Sequence, residues 1–445
     1  MRAADTTGVV VAHGVGSRQD LPLPFGLAVA GAAIALVVSF VALGLLWREP
    51  RLNGPQAGRP LPPSVAAVLD SRTTRAVLAA LGVVVTAYAG IALVLGQDDA
   101  DNPTPFVIYV LLWVGLVPLS VLFGPVWRRL NPLRTLHAVV LRLAGLDPRE
   151  GALPLPPGLG YWPAALGLLA FTWLELVAPD NATLPVLRLA VLIHVTVQLV
   201  GGFLMGSHWF DRCAPFEVWS ALFGRLSALG RRADGRLVIR SPLAGLDALP
   251  AAPGLAATVA VMLGTTAYDG ASNAPGWFTF VQSSPLPQTL VETAGLVAVV
   301  LVVGLLYAAC TRWAGRVGGL GGRGMPAAFA HSLVPIALGY VVAHYWSLLV
   351  LEGQNAFVHL SDPLGNGSDW LGLADHRPSS ALLQPGLVAT VQVVSVVTGH
   401  VLGVVLAHDR AVRLFPHRRA VLGQLPLLLM MVTYTVGGLT LLFSA

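Results

Sequence analysis

Ten apolar stretches, most of them long enough to cross a bilayer as a helix, recur along this chain of 445 residues. They run over 24–47, 76–96, 106–124, 161–178, 183–206, 254–269, 288–310, 326–351, 386–407 and 420–443, the sixth being the shortest. In lipid, such a segment satisfies its backbone by folding as a helix. This confines the chain to one class, an all-α polytopic transmembrane helix bundle of about ten spans forming a single integral membrane domain. Composition agrees: 11% of residues are charged, against about 25% in a soluble protein.

The connections alternate in charge. All 27 basic residues are arginine, and 23 of them fall in the first, third, fifth, seventh and ninth connections. The second connection reads "QDDADNPTP", and the eighth, 352–385, carries Asp362, Asp369 and Asp375. Arginine is retained on the cytoplasmic side during insertion. The odd connections are therefore expected in the cytoplasm, and 352–385 as an extracytoplasmic loop. Both termini are then extracytoplasmic. This placement accounts for the basic balance without nucleic acid. The Ala-, Gly- and Arg-rich, Lys-free composition suggests a high-GC bacterium, hence its plasma membrane. The two cysteines, Cys213 and Cys310, fall on the reducing side and form no disulfide framework. Residues 1–23 read as an extracytoplasmic lead-in, in which Gly8–Ala12 is too short for a signal-peptide core.

Two cytoplasmic connections look alike. "VWRRLNPLRTLHAVVLRLAGLDP" and "HWFDRCAPFEVWSALFGRLSALGRR" each open on aromatic and basic residues, pass a proline (Pro132, Pro215), and continue at helical spacing. Amphipathic helices over 125–148 and 215–230 are expected at the membrane interface. Each connection leads to a span with an acid near its outer end, Glu175 or Asp269. Spans 3–4 and 5–6 thus read as a duplicated unit, the copies running in the same direction.

Ionisable side chains inside a bilayer cost about 2.5–3.5 kcal/mol each on insertion scales, so they mark candidate sites. By depth they form two layers. The outer holds Glu175, Arg188, His194, Tyr268, Asp269, Glu292, His344, Gln392 and Tyr434; the inner holds Gln198, His331, His400 and Gln424. Glu175 and Arg188 flank the tight turn "VAPDNAT" and are expected to pair. His194, Asp269, Glu292 and His344 are the candidate catalytic residues, lining a polar cavity open to the outside. Histidine and carboxylate in that setting serve acid–base chemistry, proton relay or metal binding. A lone histidine in a span more often ties two helices together, and acids near helix ends often only reach for water. HExxH, P-loop, CxxC and GxSxG signatures are lacking. "GVGSRQD" precedes a span rather than following a strand, so it is no dinucleotide fingerprint.

The phrases "AHGVGSRQDLPLP", "TTAYDGAS", "AHSLVPIALGYVVAHYWSLLV", "GHVLGVVLAHDRA" and "MMVTYTVGGL" resemble a family of polytopic actinobacterial membrane proteins labelled fenitrothion hydrolase, after the membrane component of an organophosphate hydrolase. The likeness runs over nearly the whole chain. It implies a membrane-bound hydrolase of organophosphate-type esters, metal-assisted by a divalent metal such as copper or zinc, with the lipid bilayer and an extracytoplasmic subunit as partners. Members carry a signal peptide ending just before the "HG" that here is His13-Gly14. Cleavage there would free a terminal His13, whose amine and imidazole suit copper; His13, His194 and His344 are the candidate metal ligands. Two other functions stay open on the residues alone. A proton-coupled or metal transporter would use both polar layers, and a non-catalytic scaffold subunit would need neither.

Overall fold

The computed structural model describes residues 24–443. Each of the ten stretches folds as a helix: α1 (Phe25–Leu46), α2 (Arg72–Leu95), α3 (Pro103–Phe123), α5 (Trp162–Leu176), α6 (Leu184–Met205), α8 (Leu255–Ser272), α9 (Gln288–Val317), α10 (Val334–Ser361), α11 (Pro385–Leu414) and α12 (Leu425–Leu442). Two further helices, α4 (Pro132–Leu143) and α7 (Pro215–Gly224), lie in the connections between them. Eight of the ten spans are long and apolar enough to cross a membrane, the exceptions being α5 and α8. The protein is an all-α, multi-pass membrane protein.

Position in the bundle explains why α8 need not be as apolar as a lipid-facing span. Every residue from Thr258 to Thr266 is buried, as are Tyr268, Asp269 and Gly270. The helix packs on α5, α9, α10 and α12, so it faces protein rather than lipid. Its threonines satisfy their hydroxyls on their own backbone, Thr265 Oγ1 donating to Val261 O at 2.8 Å. By contrast only 11% of the apolar window of α2 is buried, and 72% of that containing α10. Thus α2 is rim and α10 is centre.

The tight seam between α10 and α11 has a plain cause. A Cβ at Gly339 would stand 2.3 Å from Ser395 O, at Gly399 2.5 Å from Pro335 O, and at Gly403 2.8 Å from Ser332 O. Glycine at these positions lets the backbones touch, the usual driving contact where lipid removes any hydrophobic gain between helices. Gly399→Val should therefore force the pair apart and cost about 1–3 kcal/mol or more. A lowered unfolding midpoint in lipid nanodiscs checks this, with Gly386→Val, an open position, as the neutral control.

The duplicated unit acquires detail. Both α3 and α6 end on a glycine with positive φ, Gly124 (φ 83°) and Gly206 (φ 66°), where L-residues are strained. Each copy then makes a short turn of helix and restarts at a proline, Pro132 or Pro215. Both enter the next span through a second positive-φ glycine, Gly160 or Gly254. Counting 15 residues on from these glycines gives Glu175 and Asp269. Three residues before each acid stands a buried threonine, Thr172 or Thr266, donating to the carbonyl four back. The copies interlock: α4 packs on α6, α7 packs on α3, and α5 lies along α8.

The interlock corrects one expectation. Helix α7 does not lie on the surface; nine of its ten residues are buried, and it wedges between α3 and α5. Its Glu217 explains the placement. The carboxylate accepts from Arg134 Nε (3.1 Å) and Asn131 Nδ2 (3.2 Å) at the start of α4, so the charge is carried inward with its partners. Helix α4 fits the interfacial reading, burying His137 and exposing Leu136, Val139, Val140 and Leu143. The helical part of α10 reaches Ser361, so the acidic loop is shorter than expected and begins at Asp362.

The arginine-rich end also carries a small antiparallel sheet, β1 (Arg59–Pro60), β2 (Leu229–Arg231) and β3 (Leu237–Ile239), in the order β1-β3-β2. Arg231 reaches from it to Asp70, and this hydrogen bond holds the Asp70 carboxyl below its ordinary range.

Candidate functional site

The site is assembled from four helices in the half of the bundle away from the arginine-rich end. Helix α8 supplies Asp269 and α10 supplies the adjacent His344 and Tyr345. His344 Nε2–H donates to Asp269 Oδ2 at 2.8 Å, and the Tyr345 hydroxyl donates to the same oxygen at 2.9 Å. The imidazole and phenol rings stand edge to face, 4.8 Å apart. All three side chains are buried, Asp269 to 1% exposure, Tyr345 to 2% and His344 to 4%. A carboxylate bonded by two such donors is well held in a medium of low dielectric.

Glu175 of α5 completes the group. It is 9% exposed, and neither carboxylate oxygen has a hydrogen-bond partner among the described residues. It lies within electrostatic range of Asp269, and Tyr345 within range of both acids. The two acids hold equivalent positions in the duplicated unit, and both helix ends are tied alike. Asn181 Nδ2 donates to the backbone oxygen of Glu175 (2.5 Å), and Asn273 Nδ2 to that of Asp269 (2.8 Å). The wall opposite is a π-helical stretch of α3, Phe106–Gly115. This rare winding recurs at functional sites. Here it carries Tyr109, whose hydroxyl donates to Asn181 O (2.8 Å), and Trp113, stacked on Trp219 at 4.0 Å.

The expected Glu175–Arg188 ion pair does not form. Arg188 instead donates through Nε to Leu93 O (2.7 Å) and through Nη2 to Val94 O (3.3 Å). These carbonyls end α2, where a helix leaves acceptors free and its dipole favours a cation. The guanidinium thus takes an open helix terminus and leaves the acid alone.

Of the four candidate catalytic residues, the structure joins His344 and Asp269. His194 lies apart, its ring 5.5 Å from that of Phe216, and it makes no side-chain hydrogen bond among the described residues. Glu292 sits in the first turns of α9, accepting from Gln288 Nε2 at 2.9 Å. Its i, i+4 partner keeps it at the helix end. Instead of lining a cavity open to the outside, the central side chains are buried, at 1–4% exposure. As for metal, no three His, Cys, Asp or Glu side chains converge as a metal centre among the described residues. His194 lies against Phe216 and His344 against Asp269, and His13 lies outside the described residues.

The remaining polar residues of the two layers divide. Gln198 accepts from Trp209 Nε1 (2.9 Å), and Gln424 lies against His408 Nδ1 (2.9 Å), so both serve packing. The hydroxyl of Tyr434 donates to Val303 O. Gln392, His400 and His331 retain unpartnered atoms. Sequence reasoning missed Glu175 as a site member, although its place matching Asp269 was the usable signal.

Comparison with protein-family models, curated proteins and solved structures finds no match to this chain.

Proposed function

We propose that this protein binds and passes on protons at the Asp269–His344–Tyr345–Glu175 centre, as a proton-coupled transporter of a bacterial plasma membrane. The observation that supports this reading is the contrast between two neighbouring buried acids, Asp269 bonded by two donors and Glu175 by none among the described residues. Two carboxylates in one low-dielectric site cannot both ionise, so the pair keeps a proton between them. His344, bonded to the ionised partner, is the group by which that proton is exchanged, because an imidazole can accept a proton at one ring nitrogen and give one up from the other. Tyr345 holds Asp269 in place while it does so. The arginine distribution supports an orientation with the centre in the outer half of the membrane and both termini outside.

A dye measurement tests the reading. Purified protein in nanodiscs, taken rapidly from acidic to alkaline pH, should release about one proton per chain more than Glu175→Gln, the number a shared pair predicts. Equal release from both would contradict it. Orientation is checked separately: cysteines placed within 362–384 should react with an impermeant reagent added to intact cells, and those within 225–236 should not.

The second reading is a hydrolase of organophosphate-type esters, supported by the family resemblance and by the Asp–His bond, which orients an imidazole as a general base would require. Hydrolysis of a phosphotriester by the purified protein, abolished in His344→Ala, would favour it over transport.

A further inference from the structure

Below the acid centre, the seam between α10 and α11 runs on toward the arginine-rich end. Its register is fixed by Gly339 against Ser395, Gly399 against Pro335 and Gly403 against Ser332. One turn from Ser395, Gln392 stands at the level of His344. His400 follows Gly399, and His331 precedes Ser332. From His344 to His331 the climb is about 20 Å at 1.5 Å per residue, most of the remaining membrane thickness.

Each of the three keeps a polar atom without a partner among the described residues: Gln392 Oε1, His400 Nε2 and His331 Nε2. All three residues are at most 2% exposed. Buried polar atoms nearly always find partners, so three orphans in succession along one helix pair call for a reason. The other nitrogen of His400 is fixed, Nδ1 donating to Val396 O at 2.8 Å, which aims Nε2 away from its own helix. Groups that both accept and donate, spaced through a membrane, are what a proton needs in order to cross it.

The row stops at an ion cluster. Asp247, at the end of the short helix Pro242–Asp247, lies over the turn holding His331 and against α11. Its carboxylate accepts from Arg410 Nη2 (3.2 Å), from Gly54 N (3.0 Å) and from Arg413 Nη1 (3.2 Å). Arg413 also bonds Asp409 (3.1 Å), which accepts from Trp47 Nε1 (3.0 Å) and Arg51 N (2.6 Å). Asp247, Arg410 and Arg413 all lie within electrostatic range of His331. The cluster thus joins three separate parts of the chain across the inner end of the row.

We propose that the α10–α11 seam is a proton route joining the acid centre to the arginine-rich face, and that Asp247 with Arg410 and Arg413 is the latch that closes it. The route extends the proton-binding reading and rests on it for its cargo. A latch built from charges opens when its carboxylate loses either partner, and water can then reach His331.

Two measurements test this. In a protein with Cys213 and Cys310 replaced by alanine, a cysteine is placed at Val404, buried at the level of His331. A small charged thiol reagent is applied from the arginine-rich side. Asp247→Asn should speed labelling by about tenfold or more, the change expected from loss of one closing interaction, while Asp247→Glu should keep the slow rate. If Asp247→Asn does not accumulate, Arg410→Gln breaks the same contact and carries the same expectation. Equal rates in closed and broken forms would overturn the latch. In liposomes holding a pH dye, His400→Leu should slow proton flux by about tenfold yet leave the proton release of the acid centre intact. Unchanged flux overturns the route. Absence of that release from the parent protein would strike the proton-binding reading instead, so the two failures are told apart.

Discussion

Asp269→Ala should lower stability by about 3–5 kcal/mol, the loss seen when one member of a buried bonded pair is removed. The carboxylate is the shared acceptor for His344 Nε2–H and the Tyr345 hydroxyl. Its deletion strands two buried donors at once, in a helix that packs on four others. Asp269→Asn keeps an oxygen to accept one donor, so it should regain part of the stability while losing proton exchange. The double variant Asp269→Ala, His344→Leu should be less destabilised than the sum of its single changes, because neither partner is left alone. Thermal unfolding in nanodiscs reads all three. Additive losses would mean that the two side chains do not act as a pair.

Glu175→Gln should do the opposite: leave the fold intact and abolish proton release. With no hydrogen-bond partner for its carboxylate among the described residues, Glu175 contributes no bond there that glutamine would break. The amide has nearly the same volume and, like the protonated acid it replaces, carries no charge into the buried site. The unfolding midpoint should stay level or rise. Had Glu175 been paired with Arg188, the same change would leave a buried guanidinium uncompensated and cost about 3–5 kcal/mol. The sign of the stability change therefore separates an acid kept for chemistry from one kept for structure. Glu175→Ala is a poorer probe, since it adds a void to the loss of charge.

Much of this architecture is legible in the order of residues. Apolar length marks the spans, arginine placement pairs the connections, and the likeness of two loops marks the duplication. His344 and Asp269 stand out because charge is rare at such depth. What stayed hidden depends on who takes which partner. Arg188 and Glu175 are 13 residues apart and at similar depth, so pairing looks natural along the chain. Only the bundle brings the end of α2 beside Arg188 and offers it two free carbonyls. Likewise the spacing of α7 reads as amphipathic, because Phe216, Trp219 and Phe223 recur at helical intervals. Its polar residues in fact find partners inside: Glu217 bonds Arg134, and Ser220 lies 2.8 Å from Ser120. Depth alone also could not tell His194 from His344, since depth does not say which way a helix turns its face. The inner latch looked like one more arginine-rich loop, because Asp247 and Arg410 are 163 residues apart.

The shared proton is the claim from which the rest follows, and infrared difference spectroscopy reads it directly. A protonated carboxylic acid has a carbonyl stretch well separated from the carboxylate bands, shifted by deuterium exchange. At neutral pH, the protein in nanodiscs should show one such band that vanishes in Glu175→Gln and moves in Asp269→Asn. A spectrum with no protonated-acid band at neutral pH, or with a band untouched by both changes, would contradict the account.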